Sequence, residues 1–122
     1  MSSTDVKPNV IVICGPTALG KTSIGIDLAR TYNGEIVGAD SMQIYRHMNI
    51  GTAKPTSDEQ SQVPHHMIDI IDPDEHFDAR QFANMAHEQI MDIHTRSLSL
   101  FVVGALEVYL KALLHFLFQA QP

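Results

Sequence analysis

The sequence predicts an α/β fold, a parallel sheet with flanking helices, on three observations. First, Val10-Ile11-Val12-Ile13-Cys14 is a short apolar, β-branched run that reads as a buried strand. Second, Gly15-Pro16-Thr17-Ala18-Leu19-Gly20-Lys21-Thr22 fits G-x-x-x-x-G-K-[ST], and a helical stretch over 20–32 follows it. Third, Asn33-Gly34 stops that helix, and Glu35-Ile36-Val37-Gly38-Ala39 reads as a second strand. Strand, phosphate loop, helix and strand make a βαβ unit with a right-handed crossover. The fold class is therefore P-loop nucleoside-triphosphatase-like.

The loop supplies the chemistry of the chain. Successive backbone N–H groups of Gly15, Pro16 onward through Thr17, Ala18, Leu19 and Gly20 form an anion-binding nest, proline itself lacking an N–H. The first helical turn adds unpaired N–H groups and the positive end of its dipole. Lys21 brings a full charge to the outer phosphates, and the Thr22 hydroxyl is suited to Mg²⁺. Gly15 and Gly20 permit a close approach that a Cβ would block. The pattern says that phosphate binds, not which compound or which reaction.

The remaining elements follow in order. Residues 1–8 read as a flexible tail, 9–118 as one core and 119–122 as a second tail. Asp40 directly follows the second strand, so it falls on the phosphate-loop rim of a parallel sheet. Residues 41–45 resemble the start of a short helix, and 51–56 a loop leading into the polar run 57–62. Residues 66–71 are apolar enough for a short strand, and Asp72-Pro73-Asp74 is a turn. Asp78 with Gln81 forms a capping box that opens a helix with the apolar stripe Phe82, Met85, Ala86, Ile90 and Ile93. Residues 98–103 read as a third buried strand, and 106–118 as a closing helix.

Composition limits the function classes. The chain has 122 residues, 8 basic against 14 acidic, and a net charge of −6. Strong nucleic-acid binding by this chain alone is disfavoured, because phosphate-backbone affinity needs clustered Lys and Arg. The single cysteine, Cys14, leaves no internal disulfide and reads as a small buried apolar group. The polar start and the lack of a membrane-length apolar stretch predict a cytoplasmic protein with no membrane partner. His65-His66 makes a poor chelate, because adjacent residues of an extended segment face opposite ways. Lys54 is within reach of a phosphate reading, but a lone Lys in a loop is more often solvated.

Four motifs in order carry a resemblance. Gly-Pro-Thr-Ala-x-Gly-Lys-Thr, Ala39-Asp40-Ser41-Met42-Gln43-Ile44-Tyr45-Arg46, the stretch from Met48 to Pro55, and Val63-Pro64-His65-His66-Met67-Ile68-Asp69-Ile70 with Asp72-Pro73 closely resemble the tRNA dimethylallyltransferases. The resemblance spans roughly residues 9–118. It implies transfer of a dimethylallyl group from dimethylallyl diphosphate to N6 of an adenosine beside the tRNA anticodon. It further implies Asp40 as general base, Lys21 with Thr22-held Mg²⁺ on the diphosphate, and Asp40, Ser41, Met42 and Gln43 around the target adenosine.

Three departures qualify it. The family pattern Val-Gly-Gly-Thr-Gly-Leu-Tyr-Leu-Lys becomes Val103-Gly104-Ala105-Leu106-Glu107-Val108-Tyr109-Leu110-Lys111, which removes a hydroxyl and adds a carboxylate. Arg96-Ser97-Leu98-Ser99-Leu100 replaces Arg-Gly-Lys-x-Pro. Family members also continue well past residue 122, so the core reads as truncated after about three strands, with the first strand left at an edge and tRNA binding weakened without the inserted helical domain. The alternatives are an impaired fragment that only binds phosphate, ATP or another nucleotide, an adenylate isopentenyltransferase, and a small P-loop kinase.

Overall fold

The computed structural model describes residues 10–14, 21–40, 43–47, 54–104 and 111–115. The phosphate loop over 15–20, Ser41 and Met42, and the departing residues Ala105, Leu106 and Glu107 lie outside that set, as do both tails. The elements are β1 (Val10–Cys14), α1 (Lys21–Thr31), β2 (Gly34–Ala39), α2 (Ser57–Gln62), β3 (His65–His66), α3 (Ala79–Thr95) and β4 (Ser99–Gly104). Residues 111–115 are also helical.

All four strands are parallel, in the order β1-β4-β2-β3. The chain thus leaves β1, builds β2, and returns last to place β4 between them. The alternation of each strand divides the core into two layers. Ile36 and Phe101 face α1, where Ile26 and Ala29 cover them. Val37, Ala39, Leu100 and Val102 face α3, where Phe82, Ala86, Ile90 and Ile93 cover them, with Leu113 alongside. Helix α1 lies close to the sheet because Gly25 has no side chain; a Cβ there would stand 2.9 Å from Val103 Cγ2.

Several expectations are corrected. Strand β1 takes the edge position expected for it among the described residues, but the burial read from its apolar run does not hold: Ile11 is 49% exposed. Cys14, at its end, is likewise exposed rather than a core group. The apolar run identified a strand but carried no information on its place in the sheet. Residues 43–47 form turns, not a helix, because their backbone pairs with 69–71 instead. The strand expected over 66–71 is confined to His65–His66 plus an isolated bridge, Tyr45 to Ile71. The polar run 57–62 is a helix. Thr56 caps it, its hydroxyl accepting from Glu59 N at 3.1 Å while Glu59 Oε1 accepts from Thr56 N at 2.9 Å. On α3 the predicted capping box of Asp78 and Gln81 is present, but Met85 faces outward and Ala83 takes a core place. The last strand runs over Ser99–Gly104, one residue later than the pattern suggested.

One ionic cluster ties the sheet to α3 at the end far from Asp40. The buried Glu35 accepts from Arg96 at 2.6 and 2.9 Å, in a two-pronged pair, and from His66 Nε2 at 2.7 Å. The Arg96 guanidinium, helped by His66, outweighs the cost of burial and holds the Glu35 carboxyl at about 2, against an ordinary 4.5. A depressed folded-state pKa means that the stabilisation is complete above pH 4.5 and is lost as pH falls toward 2. Glu35→Gln is expected to lower the neutral-pH melting temperature, and to flatten acid destabilisation across that window when melting is followed against pH.

Arg96 leads into Ser97, which has φ 62°, in the left-handed region. This is the position where the resembling motif has glycine, so the departure places a Cβ where the backbone disfavours one. Ser97→Gly is expected to stabilise the fold by about 1 kcal/mol, read as a higher midpoint in chemical denaturation.

Candidate active site

Parallel pairing brings the strand ends to one rim. Cys14 and Ala39 both stand beside Gly104. Gly104 must be glycine there, since a Cβ would be driven into the Ala39 carbonyl. The start of α1 and Asp40 therefore lie at the same end of the sheet. Between them opens a cavity of about 260 Å³, walled by Lys21, Thr22, Asp40, Gln43, Lys54 and His65, among others. It runs from the rim down the α1 face, past Ile36 and Gly38, to Pro55 and Glu59 beside β3.

Each predicted site residue within the described set belongs to this cavity. Lys21 is 8% exposed and Asp40 7%, so both are enclosed by the fold rather than free in solvent. Asp40 Oδ1 accepts from Gln43 N at 3.3 Å. This is the contact a helix cap would make, but the residues that follow turn instead of continuing as a helix.

Why the second motif sits here is visible in its partners. Asp69 N donates to Gln43 O at 3.2 Å, Ile70 N to Ile44 O at 2.9 Å, and Arg46 N to Ile71 O at 2.8 Å. Arg46 also pairs with Asp72 at 2.9 Å. Met67 and Asp69 take φ of 67° and 57°, two left-handed residues that bend the chain so that Ile68 faces the cavity. The second and fourth motifs are thus stitched together by backbone hydrogen bonds.

Lys54 corrects the reading of a solvated loop residue. Its side chain is 5% exposed, and it donates to Tyr45 O at 2.7 Å and to Asp69 Oδ1 at 2.5 Å. It spans the stitched pair and so links the third motif to the second and fourth. The adjacent histidines do take opposite directions. His66 reaches Glu35 on the α3 side, while His65 Nδ1 lies 2.9 Å from Val63 O and its ring lines the cavity.

Sequence reasoning missed Ser23, Glu59, His65 and Ile68 as cavity residues. Glu59 was legible as the partner of Thr56 in a capping box. Ile68 gave no periodic signal, because the bends at Met67 and Asp69 orient it; His65 alternates with His66 on β3, but nothing local shows that its side of the strand meets a cavity.

With that geometry in view, the comparisons become specific. A sequence model of the IPP transferase family matches residues 43–122. The chain belongs to the IPP transferase family. This IPP transferase chain is 54% identical over 113 residues to a tRNA dimethylallyltransferase of Desulfosudis oleivorans, covering 93% of this chain and 36% of that protein. It is 52% identical over 118 residues to tRNA dimethylallyltransferase 2 of Syntrophus aciditrophicus, covering 97% and 38%. Its fold superposes on the full-length tRNA isopentenylpyrophosphate transferase of Bacillus halodurans with a TM-score of 0.84 at 47% identity, over 89% of this chain and 36% of that one. A eukaryotic dimethylallyltransferase acting on tRNA matches with a TM-score of 0.81 at 37% identity, over 87% and 26%. The IPP transferase chain thus spans about a third of the length of the curated relatives it matches. Among the described residues, no helix is long and apolar enough to cross a membrane.

Lys54→Met keeps the stem and removes the charge that joins three motifs. We expect a loss of about 1–3 kcal/mol, because Tyr45 O and Asp69 lose a buried donor. Amide exchange at Ile70 should accelerate more than exchange at the β4 amides.

Proposed function

We propose that this chain forms the part of a tRNA dimethylallyltransferase that binds the prenyl diphosphate and activates the adenine. The reaction is transfer of dimethylallyl from its diphosphate to N6 of an adenosine beside the anticodon. The observation that carries this reading is the single cavity onto which both Lys21 and Asp40 open.

The roles follow from charge. N6 forms a bond to C1 of the dimethylallyl group as the C1–O bond breaks and diphosphate leaves. Lys21 and the α1 N-terminus, with the 15–20 loop before it, neutralise the charge that grows on the leaving oxygens. Asp40 accepts the N6 proton. Thr22 offers a hard oxygen on the same wall and would hold Mg²⁺, which would supply further charge neutralisation. Ser41, Met42 and Gln43 would hold the target adenosine, an assignment that rests on the motif; of these, Gln43 lines the cavity. With a net charge of −6, this chain contributes little non-specific RNA attraction, so strong tRNA grip would come from residues beyond those matched here. The reading places the chain in the cytoplasm, with the tRNA it would act on.

Transfer of labelled dimethylallyl to tRNA with an unmodified anticodon-loop adenine tests this. Lys21→Ala and Asp40→Ala are each expected to lower the rate at least ~100-fold, as loss of electrostatic or general-base assistance does. Wild-type chain that binds dimethylallyl diphosphate through Lys21 yet transfers nothing would favour the second reading, a phosphate-binding chain without turnover. That reading is motivated by Leu106, which stands where the motif has its threonine.

A further inference from the structure

Three consecutive carbonyls of the turn that follows Asp40 are tied down, one of them by a side chain. Gln43 O accepts from Asp69 N at 3.2 Å, Ile44 O from Ile70 N at 2.9 Å, and Tyr45 O from Lys54 Nζ at 2.7 Å. The same ammonium donates to Asp69 Oδ1 at 2.5 Å. The Lys54 side chain is 5% exposed, and a charge enclosed to that degree needs a matching partner. Asp69 supplies it. The charge is thus met within the chain itself, which sets Lys54 apart from an ammonium held ready for phosphate.

Asp69 joins the two ends of this network. Its φ of 57° lies in the left-handed region, a conformation that costs energy and persists only when the surroundings hold it. Lys54 is such a hold. From Asp69 the path to the rim is short. Asp69 N donates to Gln43 O, and Gln43 N donates to Asp40 Oδ1 at 3.3 Å. Asp40 stands one residue past the end of β2, so the sheet fixes the backbone before it but not the carboxylate. A general base needs its oxygen within hydrogen-bond reach of the proton it takes, and the Gln43 amide helps to set where that oxygen lies.

We infer that Lys54 is a positioning residue for Asp40, acting through Asp69 and the Gln43 amide. Without the ammonium, Asp69 relaxes out of its left-handed conformation, Gln43 O loses its donor, and the Asp40 carboxylate loses a fixed partner. The inference deepens the proposed function and rests on it for what Asp40 does.

The test uses Lys54→Met, Lys54→Arg and Asp69→Asn in the 122-residue chain. Lys54→Arg keeps a charged donor. Asp69→Asn keeps an acceptor and a residue type that tolerates positive φ. The first readout is NMR, through the Asp40 Cγ resonance and the exchange rate of the Gln43 amide. Lys54→Met is expected to move the resonance and to speed Gln43 exchange about tenfold relative to the β4 amides, with smaller changes in the other two variants. The second readout is transfer from dimethylallyl diphosphate to an anticodon stem–loop RNA with an unmodified adenine. Here kcat should fall about tenfold in Lys54→Met, with calorimetric affinity for the diphosphate unchanged, and Lys54→Arg should recover part of the loss. In an Asp40→Ala background the same Lys54→Met change should cost less than about twofold, because nothing remains for it to position.

An Asp40 resonance and a Gln43 exchange rate unmoved in folded Lys54→Met protein would overturn the inference. So would weakened diphosphate binding in that variant, which marks a direct phosphate contact. A rate loss that persists undiminished in the Asp40→Ala background also overturns it, because it marks a packing role. If Lys54→Met does not fold, Asp69→Asn, altered at a half-exposed side chain, decides by the same readouts. Wild type that binds diphosphate and transfers nothing removes the proposed reaction alone, and the NMR readout then decides the tie from Lys54 to Asp40 by itself.

Discussion

The site depends on the insertion of β4 between β1 and β2. Until that strand is in place, the phosphate-loop strand and the strand bearing Asp40 have no common neighbour. Its pairing with both sets their register, and the register fixes the height of α1 relative to Asp40. The constraint is steric as much as hydrogen-bonded. Gly104 lets the Ala39 backbone approach where any side chain would not fit. The aliphatic side chains of β4 then serve both layers, Phe101 toward α1 and Leu100 and Val102 toward α3.

On this frame the motifs act as two groups. The start of α1 and Asp40 are carried by strand ends, so sheet geometry positions them. Gln43, Lys54 and Ile68 are carried by irregular backbone, and hydrogen bonds position that backbone. Lys54 and the paired segments 43–46 and 69–71 do that work. The division suits the two-substrate reaction proposed above. Charge stabilisation needs a rigid anion site, while recognition of a nucleoside needs polar groups at particular heights along a wall.

Much of this was legible in the sequence, and the failures have physical causes. The periodicities of α1 and α3, the Asp78–Gln81 cap, and the strand ending before Asp40 are local signals, and all appear in the structure. The apolar run of β1 reads as a buried strand, but at the edge expected for it Ile11 and Cys14 are exposed, because a run of side chains does not record what covers it. Residues 41–45 look like the beginning of a helix in isolation, but from Gln43 onward cross-chain pairing with 69–71 overrides that propensity. Lys54 looks solvated because nothing in sequence shows that Tyr45 O and Asp69 will meet around it. His65 could be placed on the opposite face from His66, but not above a cavity.

Helix α2 has a further consequence. It is six residues long and buries none of them; its support includes the Thr56 capping box, a bond from Gln60 Nε2 to Pro55 O at 3.0 Å and a contact between Arg30 and Gln62 at 3.3 Å. Short helices without a packed face lie at the low end of local stability and open far more readily than the sheet behind them. The cavity thus has one wall of high melting cost, made by α1, β2 and β4, and one of low cost at Pro55 and Glu59. Opening of the cavity wall at Pro55 and Glu59 is therefore expected well below the free energy that opens the sheet.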